Sequence, residues 1–395
     1  MISFDEAAAL VRQFSQPLAP EMVSLDQAED RVLGRPVVAP RTAPAFPTSA
    51  MDGYAVRDSD LTQVPVKLRV VGESYAGNPF GKKAGAGTCV RIFTGAVVPP
   101  GFDRVVIQEQ VGQSNGLAFF NERPSGGRNI RPVGGDFFAG EAILPAGVVL
   151  TPQALIAAAG ADVSEVCTIR QPRVAILATG DELAAPGTAY LRPGAVPDSV
   201  SVGIAALVRV YGGVVTLRLR LPDILEELER GAAEALACSD IVVVTGGASV
   251  GERDYARNMF RAHKVEPVFS KVAMKPGKPV WMSRVGERSI IGLPGNPGSA
   301  LVTARLLLAP LLAGLSGRGA GVAWQWQRAP LGESAPEVGD RETFFRGQLH
   351  EGRAVFVGNQ DSSAQAALGA SRILIRRAAG ADVLPAGEDV SILAL

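Results

Sequence analysis

Two kinds of hydrophobic pattern follow one another along this chain. Between residues 61 and 149, short apolar and β-branched runs are separated by turns rich in Gly, Pro and Asn. From residue 173, apolar runs of strand length are instead separated by longer helical segments, and short strand-like runs return after residue 317. Strands joined by helices lie parallel in a sheet that is covered on both faces. The pattern therefore predicts a doubly wound parallel-sheet α/β domain combined with β domains.

The N-terminal pattern predicts a capped helix and then a second helix. Ser3 stands at the N-cap position and Glu6 completes a capping box, while residues 27–33 predict the second helix. Residues 152–160 are also helical in pattern, so we expect the segments on both sides of the β region to pack together around an inserted domain. The predicted domains are a small mixed N-terminal linker domain (discontinuous, residues 1–45 and 140–170), an inserted β domain (46–139), the α/β domain (171–316) and a C-terminal β-barrel-like domain (317–395).

Composition and charge narrow the class of protein. A chain of 395 residues is too long for one ordinary core. Its 39 basic and 39 acidic residues give a formal net charge of zero, which disfavours nucleic-acid and anionic-membrane partners. Three scattered cysteines and two histidines disfavour a structural zinc site or a disulfide framework. Because the first residues lack a signal-peptide pattern and no uninterrupted apolar run is long enough to cross a bilayer, we expect a cytoplasmic protein.

The candidate chemistry lies where predicted strands end. The buried run at residues 240–245 leads into Gly246-Gly247-Ala248-Ser249, and a glycine-rich loop between a strand and a helix suits a phosphate. The loop matches neither Walker A nor G-x-G-x-x-G, so on its own a binding loop and a plain tight turn remain equally open. A second strand ends in Thr179-Gly180, which would place two Thr-Gly pairs at one sheet edge.

Acids and lysines follow these strands. Glu182, Asp198 and Asp254 are carboxylates that could surround a hard cation such as Mg²⁺. Lys275 and Lys278 stand on a proline-rich turn, and a fixed pair of ammonium groups suits an oxyanion. A further glycine-proline loop at residues 293–299 leads into a helix N-terminus. Together these features predict a phosphate-bearing ligand, a divalent cation and a second anion.

Eight motifs connect the chain to a known family. They are SAMDGYAV (residues 49–56), RIFTGAVVPPGFDRVV (91–106), GRNIRPVGGD (127–136), TGDEL (179–183), PDS (197–199), TGGASVGERD (245–254), MKPGKP (274–279) and LPGNPGS (293–299). With these motifs in this order, the chain resembles the molybdopterin molybdenumtransferases of the MoeA type, whose animal counterpart is the gephyrin E domain. The resemblance runs from the N-terminal helix to the last strand.

The resemblance implies an activity, a cofactor and an assembly. Members of this family insert molybdate into adenylylated molybdopterin and hydrolyse the adenylyl bond with the help of Mg²⁺, releasing AMP. The implied assembly is a homodimer of four-domain subunits with composite active sites. Each site lies between the α/β domain of one subunit and the β domain of the other. Implied partners are molybdopterin- and AMP-bearing small molecules and other proteins of molybdenum cofactor biosynthesis.

The family motifs also assign residues. The implied catalytic set is Asp52, Thr94, Asp136, Glu182, Asp198 and Asp254, and its last three members also hold the metal. The strand-end loops and the resemblance together give a cofactor-binding set of Thr179, Gly180, Thr245, Gly246, Gly247, Ser249, Lys275, Lys278, Pro279, Pro294, Asn296, Pro297, Arg346 and Ser362. Within this set, Arg346 is expected to reach the molybdate from the C-terminal domain with a forked donor geometry.

Three motifs depart from the family pattern. Gly135 replaces a family glutamate before Asp136, and Val200 replaces the asparagine of Asp-Ser-Asn. A C-terminal Gly-Ser-Gly motif reads Asp361-Ser362-Ser363 here. We expect these changes to affect the catalytic efficiency and the set of residues that bind the ligands, and not the class of protein.

Two other functions remain open at this point. A molybdopterin adenylyltransferase shares the α/β domain and its glycine loop, but such enzymes are small single-domain proteins. A scaffold of the gephyrin type would tolerate loss of the acids, most of which are present here. The sequence does not separate molybdate from tungstate as the anion.

Overall fold

The computed structural model describes residues 1–246 and 255–395 of the chain. Two compact units can be separated by their internal contacts. The larger unit contains Met1–Val23, Asp30–Gly34 and Cys167–Leu395, and the smaller unit contains Ser24–Glu29 and Arg35–Val166. The finer division into four domains stays a prediction.

The chain begins with the expected capped helix. Helix α1 (Phe4–Gln13) has a capping box in which Ser3 Oγ accepts the Glu6 N–H at 3.2 Å and the Glu6 carboxylate accepts the Ser3 N–H at 2.7 Å. Strand β1 (Pro20–Ser24) follows. The helix predicted for residues 27–33 is wrong, because only a 3-10 turn at Leu25–Gln27 forms. Asp30 has a φ of 61°, which no α-helix contains, and Leu33 pairs with Thr168 as an isolated β-bridge.

The smaller unit is built mainly of strands, as its turn-rich sequence predicts. Its elements are β2 (Val37–Val38), β3 (Thr48–Ser49), β4 (Gly53–Val56), β5 (Val66–Ser74), β6 (Thr88–Ile92), β7 (Arg104–Ile107), β8 (Val111–Ser114), β9 (Leu117–Phe120), β10 (Ile130–Arg131), β11 (Ala142–Leu144) and helix α2 (Pro152–Gly160). Six strands form one sheet in the order β7-β4-β6-β5-β9-β8. Tyr54, Val56, Leu68 and Phe120 pack into a core on one face of this sheet.

The larger unit contains the α/β sheet that the alternating pattern predicts. Its elements are β12 (Glu165–Ile169), β13 (Arg173–Thr179), β14 (Leu183–Ala184), β15 (Val196–Pro197), α3 (Ser199–Val210), β16 (Val214–Leu221), α4 (Leu225–Cys238), β17 (Ile241–Thr245), α5 (Tyr255–Asn258), β18 (Glu266–Phe269), β19 (Met274–Lys275), β20 (Trp281–Val285), β21 (Arg288–Leu293), α6 (Pro297–Thr303) and α7 (Ala309–Leu315). The strand order is β16-β13-β17-β21-β20-β18. The first four strands are parallel, while β20 and β18 add an antiparallel edge.

The central strand of this sheet is buried on both faces. All five residues of β17 are buried, which explains its unbroken apolar sequence. Side chains on one face pack against α3, α6 and α7, and those on the other face pack against α4 and α5. The predicted fold class, an α/β domain combined with sheet-rich domains, is confirmed.

Helices α6 and α7 are joined by a π-helical turn at Ala304–Leu308 into one apolar rod. Pro297–Leu315 is long and apolar enough to span a membrane by length and composition, although Arg305 interrupts its apolar sequence, and 94% of its most apolar window is buried. Arg305, inside this rod, donates from Nε to the Ala394 carbonyl at 2.8 Å and from Nη1 to the Ala323 carbonyl at 2.6 Å. The rod is therefore a core helix to which the C-terminal strands are attached.

The C-terminal strands form a second sheet in the larger unit. Its elements are β22 (Gln327–Pro330), β23 (Glu342–His350), β24 (Arg353–Phe356), α8 (Gln365–Ala370), β25 (Ile373–Arg377) and β26 (Asp389–Ala394). The strand order is β19-β23-β25-β26-β22, with β24 also paired to β23. Because β19 joins this sheet, with Lys275 opposite Thr343, the lysine-proline turn is attached to the C-terminal strands.

An ion pair ties the start of β17 to the segment before β13. Arg170 donates to both carboxylate oxygens of Asp240 at 2.8 and 3.0 Å, and the Arg173 N–H donates at 2.7 Å. Burial alone would raise the pKa of Asp240, but the hydrogen bond from Arg170 and the other contacts outweigh it and lower the pKa.

We expect Asp240→Asn to lower the free energy of unfolding by about 2 kcal/mol at pH 7, because the partly buried Arg170 loses its charge-assisted hydrogen bonds to the carboxylate. A lowered folded-state pKa contributes stability above the unfolded pKa, and this contribution is lost as the pH falls through the folded pKa. The difference between variant and wild type should therefore shrink in acid. Urea unfolding at pH 7 and at pH 3 checks this, and an equal difference at both values would contradict the assignment.

Candidate active site

The carboxyl ends of β13 and β17 meet as the two Thr-Gly pairs predict. Ala178 lies opposite Thr245 in the parallel register, and Thr179 Oγ1 donates to the Thr245 carbonyl at 3.4 Å. Gly246 has a φ of 91°, and a Cβ there would lie 2.4 Å from the Thr179 carbonyl oxygen. Only glycine fits this crossing of two backbones, so the backbone at Gly246, directly after β17, passes over the end of β13.

A cleft follows this edge of the sheet. Two adjoining cavities of about 340 and 450 Å³ share five wall residues, so they form one continuous space. The shared residues are Thr179, Glu182, Gly246, Gly295 and Asn296. Gly180, Thr245, Pro294 and Pro297 each line one of the two cavities. The predicted residues Gly247, Ser249 and Asp254 lie outside the described residues.

Two of the predicted metal ligands line the same part of the cleft. Glu182 and Asp198 are both in the wall of the 340 Å³ cavity. Asp198 also caps helix α3, because its carboxylate accepts the Ser201 N–H at 3.1 Å and the Ser201 hydroxyl at 2.5 Å. Mg²⁺ takes one or two carboxylates together with phosphate oxygens, and this pair fits that preference. Within residues 1–246 and 255–395, no three His, Cys, Asp or Glu side chains form a ready-made metal cluster.

The opposite end of the cleft is cationic. A cavity of about 600 Å³ is lined by Lys275, Lys278 and Arg341, and it shares Pro279 and Ser299 with the 450 Å³ cavity. Lys275 is fixed by the pairing of β19 with β23. The Lys278 carbonyl accepts the Val272 N–H at 3.1 Å, which holds the turn between the lysines. Glu182 and Asp198 therefore lie at one end of a continuous space, and the three basic residues lie at the other.

The C-terminal loop before α8 closes against the start of α6. Asn296 Nδ2 donates to Ser362 Oγ at 2.9 Å, and the Gly298 N–H donates to the Ser362 carbonyl at 2.7 Å. A Cβ at Gly298 would lie 2.8 Å from that carbonyl. Ser362 also lines the 600 Å³ cavity, so the predicted residues Asn296 and Ser362 are brought together.

The structure corrects the expected position of Arg346. Its side chain is 1% exposed and lines none of the cavities described here. The guanidinium donates to the carbonyls of Asn359 at 2.9 Å, Asp361 at 2.8 Å and Ala364 at 3.4 Å. Burial lowers the pKa of Arg346. The forked donor therefore holds the loop that carries Ser362 and does not point to an anion.

Several residues of the cationic cavity were not among the predicted site residues, and Ser299 and Arg341 are two of them. Ser299 is the last residue of the LPGNPGS motif, and this motif is a sequence signal that could have identified it. The prediction included only Pro294, Asn296 and Pro297 from this motif. Arg341 had no local signal, because its place beside Lys275 depends on the pairing of β19 with β23.

The remaining predicted residues lie in the smaller unit. Asp52 and Thr94 come together across 42 positions, since Asp52 Oδ1 accepts the Thr94 hydroxyl at 2.7 Å and the Thr94 N–H at 2.8 Å. These hydrogen bonds lower the pKa of Asp52, which keeps it ionised. Asp136 is exposed on another loop, where its N–H donates to the Ala43 carbonyl at 3.1 Å.

The fold and the cleft define a class of protein: an α/β protein with a candidate ligand site at the carboxyl edge of its parallel sheet. Comparison with family models agrees. Residues 2–161 match the MoeA N-terminal region (domain I and II), and residues 175–314 match a probable molybdopterin binding domain.

Similar proteins give the family. A molybdopterin molybdenumtransferase of Haemophilus influenzae is 39% identical over 334 residues, covering 84% of this chain and 80% of that protein. One from Nostoc is 34% identical over 387 residues, covering 95% and 88%. A solved structure of the molybdopterin biosynthesis MoeA protein from Pyrococcus horikosii matches with a TM-score of 0.84 and 26% identity, covering 100% of this chain and 99% of that chain. The chain belongs to the molybdopterin molybdenumtransferase family.

Proposed function

We propose that this protein acts in molybdenum cofactor biosynthesis by inserting molybdate into adenylylated molybdopterin, with hydrolysis of the adenylyl bond and release of AMP. The observation that carries the proposal is the single cleft with carboxylates at one end and three cationic side chains at the other. Such a cleft suits a reaction that brings a nucleotide phosphate and a separate oxyanion to one ligand. Membership of the family supports the same reaction.

The proposed roles of the residues in the cleft follow from their charges. Lys275, Lys278 and Arg341 attract the molybdate dianion, and Ser299 and Ser362 add hydroxyl donors. At the sheet edge, Gly246 has no side chain, which would let a phosphate approach its backbone closely. Glu182 and Asp198, with Asp254 as a further predicted ligand, would hold Mg²⁺. When bound, this ion would neutralise phosphate charge during cleavage of the adenylyl bond.

The assembly and location are parts of the same proposal. We place the Asp52–Thr94 pair and Asp136 in a composite site with the α/β domain of the partner subunit of a homodimer, in the cytoplasm. Asp52 is kept ionised by Thr94, so it would add a fixed negative charge to a site that handles Mg²⁺ and phosphate. Other proteins of molybdenum cofactor biosynthesis would supply the adenylylated substrate and receive the product.

The direct test incubates the purified protein with adenylylated molybdopterin, Mg²⁺ and molybdate and follows AMP by chromatography. We expect AMP release that requires molybdate. AMP incorporation from ATP into molybdopterin would indicate an adenylyltransferase instead. Absence of both reactions, with the protein folded, would favour a scaffold.

A composite site predicts complementation between inactive variants. Asp52→Ala and Glu182→Ala should each be inactive alone, because each removes one acid from both sites of a dimer. After subunit exchange, half of the dimers are mixed and one of their two sites is intact, so about a quarter of the wild-type rate should return. Native mass spectrometry confirms the exchange. Exchange without any recovered activity would show that each site lies within one chain.

A further inference from the structure

Among the described residues, one acidic residue lies in the wall of the cationic cavity. Asp361 lines the 600 Å³ cavity together with Lys275, Lys278 and Arg341. It stands at the first position of the Asp361-Ser362-Ser363 motif, and its neighbour Ser362 lines the same space. An acidic residue in the same wall as three basic ones needs an explanation in a site for an oxyanion.

Asp361 is held in place by its own loop. Its Oδ1 accepts the Ser363 N–H at 2.8 Å and the Ser363 hydroxyl at 2.7 Å. Its carbonyl accepts Arg346 Nη2 at 2.8 Å, and its N–H donates to Asn359 Oδ1 at 2.8 Å. The hydrogen bonds from Ser363 lower the pKa of Asp361, so the side chain is ionised at neutral pH. The cavity therefore carries a positioned negative charge.

An ionised carboxylate distinguishes oxyanions by whether they carry a proton. It has only acceptor oxygens, so it repels an anion without a proton and can take a hydrogen bond from an anion with one. Molybdate and sulfate carry no proton at neutral pH, whereas phosphate carries at least one. The three cations attract all of these anions, but Asp361 acts on them differently.

We propose that Asp361 is a selectivity residue of this cavity, which weakens the binding of fully deprotonated oxyanions relative to protonated ones. The inference rests on the proposed function in that it takes the cavity to be the oxyanion site. A weakened affinity would let molybdate leave the lysines and bind the dithiolene sulfurs of molybdopterin, where molybdenum is inserted. Removing the charge should tighten molybdate binding.

The test measures binding of molybdate, sulfate and phosphate to the full-length protein by calorimetry at pH 7.5. Asp361→Asn keeps an acceptor for the Ser363 N–H and removes the charge. We expect it to lower the Kd for molybdate and sulfate by roughly fivefold, because it removes the charge repulsion. The Kd for phosphate should fall by less, because hydrogen phosphate also loses the hydrogen bond that its proton donates to the carboxylate. Glu388→Gln, which removes an exposed carboxylate of the C-terminal part that lines none of these cavities, serves as the matched control and should change none of the three.

Asp361→Ser, which keeps a hydroxyl acceptor, repeats the measurement if the asparagine variant does not fold. Equal changes for all three anions, or no change, would overturn the inference. AMP release by the wild type is scored separately. Molybdate-dependent release together with unchanged anion ratios would leave the proposed function standing and remove only the role of Asp361. Failure of the wild type to bind any of the anions would overturn the inference, while the assay of AMP release decides the proposed function by itself.

Discussion

Lys278→Ala is expected to raise the molybdate concentration for half-maximal AMP release by roughly one to two orders of magnitude. The lysine lines the cationic cavity, and a charge-assisted hydrogen bond contributes about 1.5–3 kcal/mol, which corresponds to that range of affinity. The turn should survive, because the Lys278 backbone carbonyl, which truncation does not remove, accepts the Val272 N–H. The adenylyl end of the cleft has different wall residues, so the affinity for adenylylated molybdopterin should stay nearly unchanged.

Steady-state titration of molybdate against wild type and variant measures this effect. Lys264→Ala is the matched control, since Lys264 is exposed and outside the three cavities of the cleft. Coincident curves for Lys278→Ala and wild type would show that the lysine pair is only a solvated turn.

Glu182→Gln is expected to lower the rate of AMP release by about two orders of magnitude or more, because a neutral amide replaces a proposed Mg²⁺ ligand of nearly the same size. Glu182 lines both cavities at the edge of the sheet. Its backbone carbonyl, which the substitution keeps, accepts the Val196 N–H at 2.8 Å, so the local loop should remain folded.

The expected signature separates this variant from the lysine variant. Glu182→Gln should lower the maximal rate and raise the Mg²⁺ concentration that the reaction requires. The molybdate concentration for half-maximal rate should change little. Glu234→Gln, on the exposed face of α4, should behave as wild type. A wild-type rate that persists in excess chelator would exclude the metal role of Glu182.

The sequence predicts contacts best where they follow from parallel strands. Thr179 and Thr245 end two apolar runs, so the rule that parallel strands end at one edge is enough to bring them together. This rule does not predict the position of Lys275, because β19 pairs with β23, a strand that begins at Glu342, far along the chain. No local pattern records that pairing, and Arg341 was missed for this reason.

Two further cases show where sequence patterns and motifs reach their limits. Residues 27–33 have a helical pattern, but the left-handed Asp30 and the pairing of Leu33 with Thr168 replace the helix. The family motif identifies Arg346, but only the fold shows that its guanidinium donates hydrogen bonds to three backbone carbonyls. A motif gives the identity of a residue, and the surrounding loops decide what it contacts.

In the proposed reaction, one cleft couples insertion of molybdenum to cleavage of the adenylyl bond. The most direct measurement counts both products in a single reaction: AMP by chromatography, and pterin-bound molybdenum by elemental analysis after the free anion is removed. Coupling predicts one AMP released for each molybdenum inserted, at every molybdate concentration. AMP that accumulates without molybdate, or molybdenum that is inserted while the adenylyl group stays in place, would contradict it.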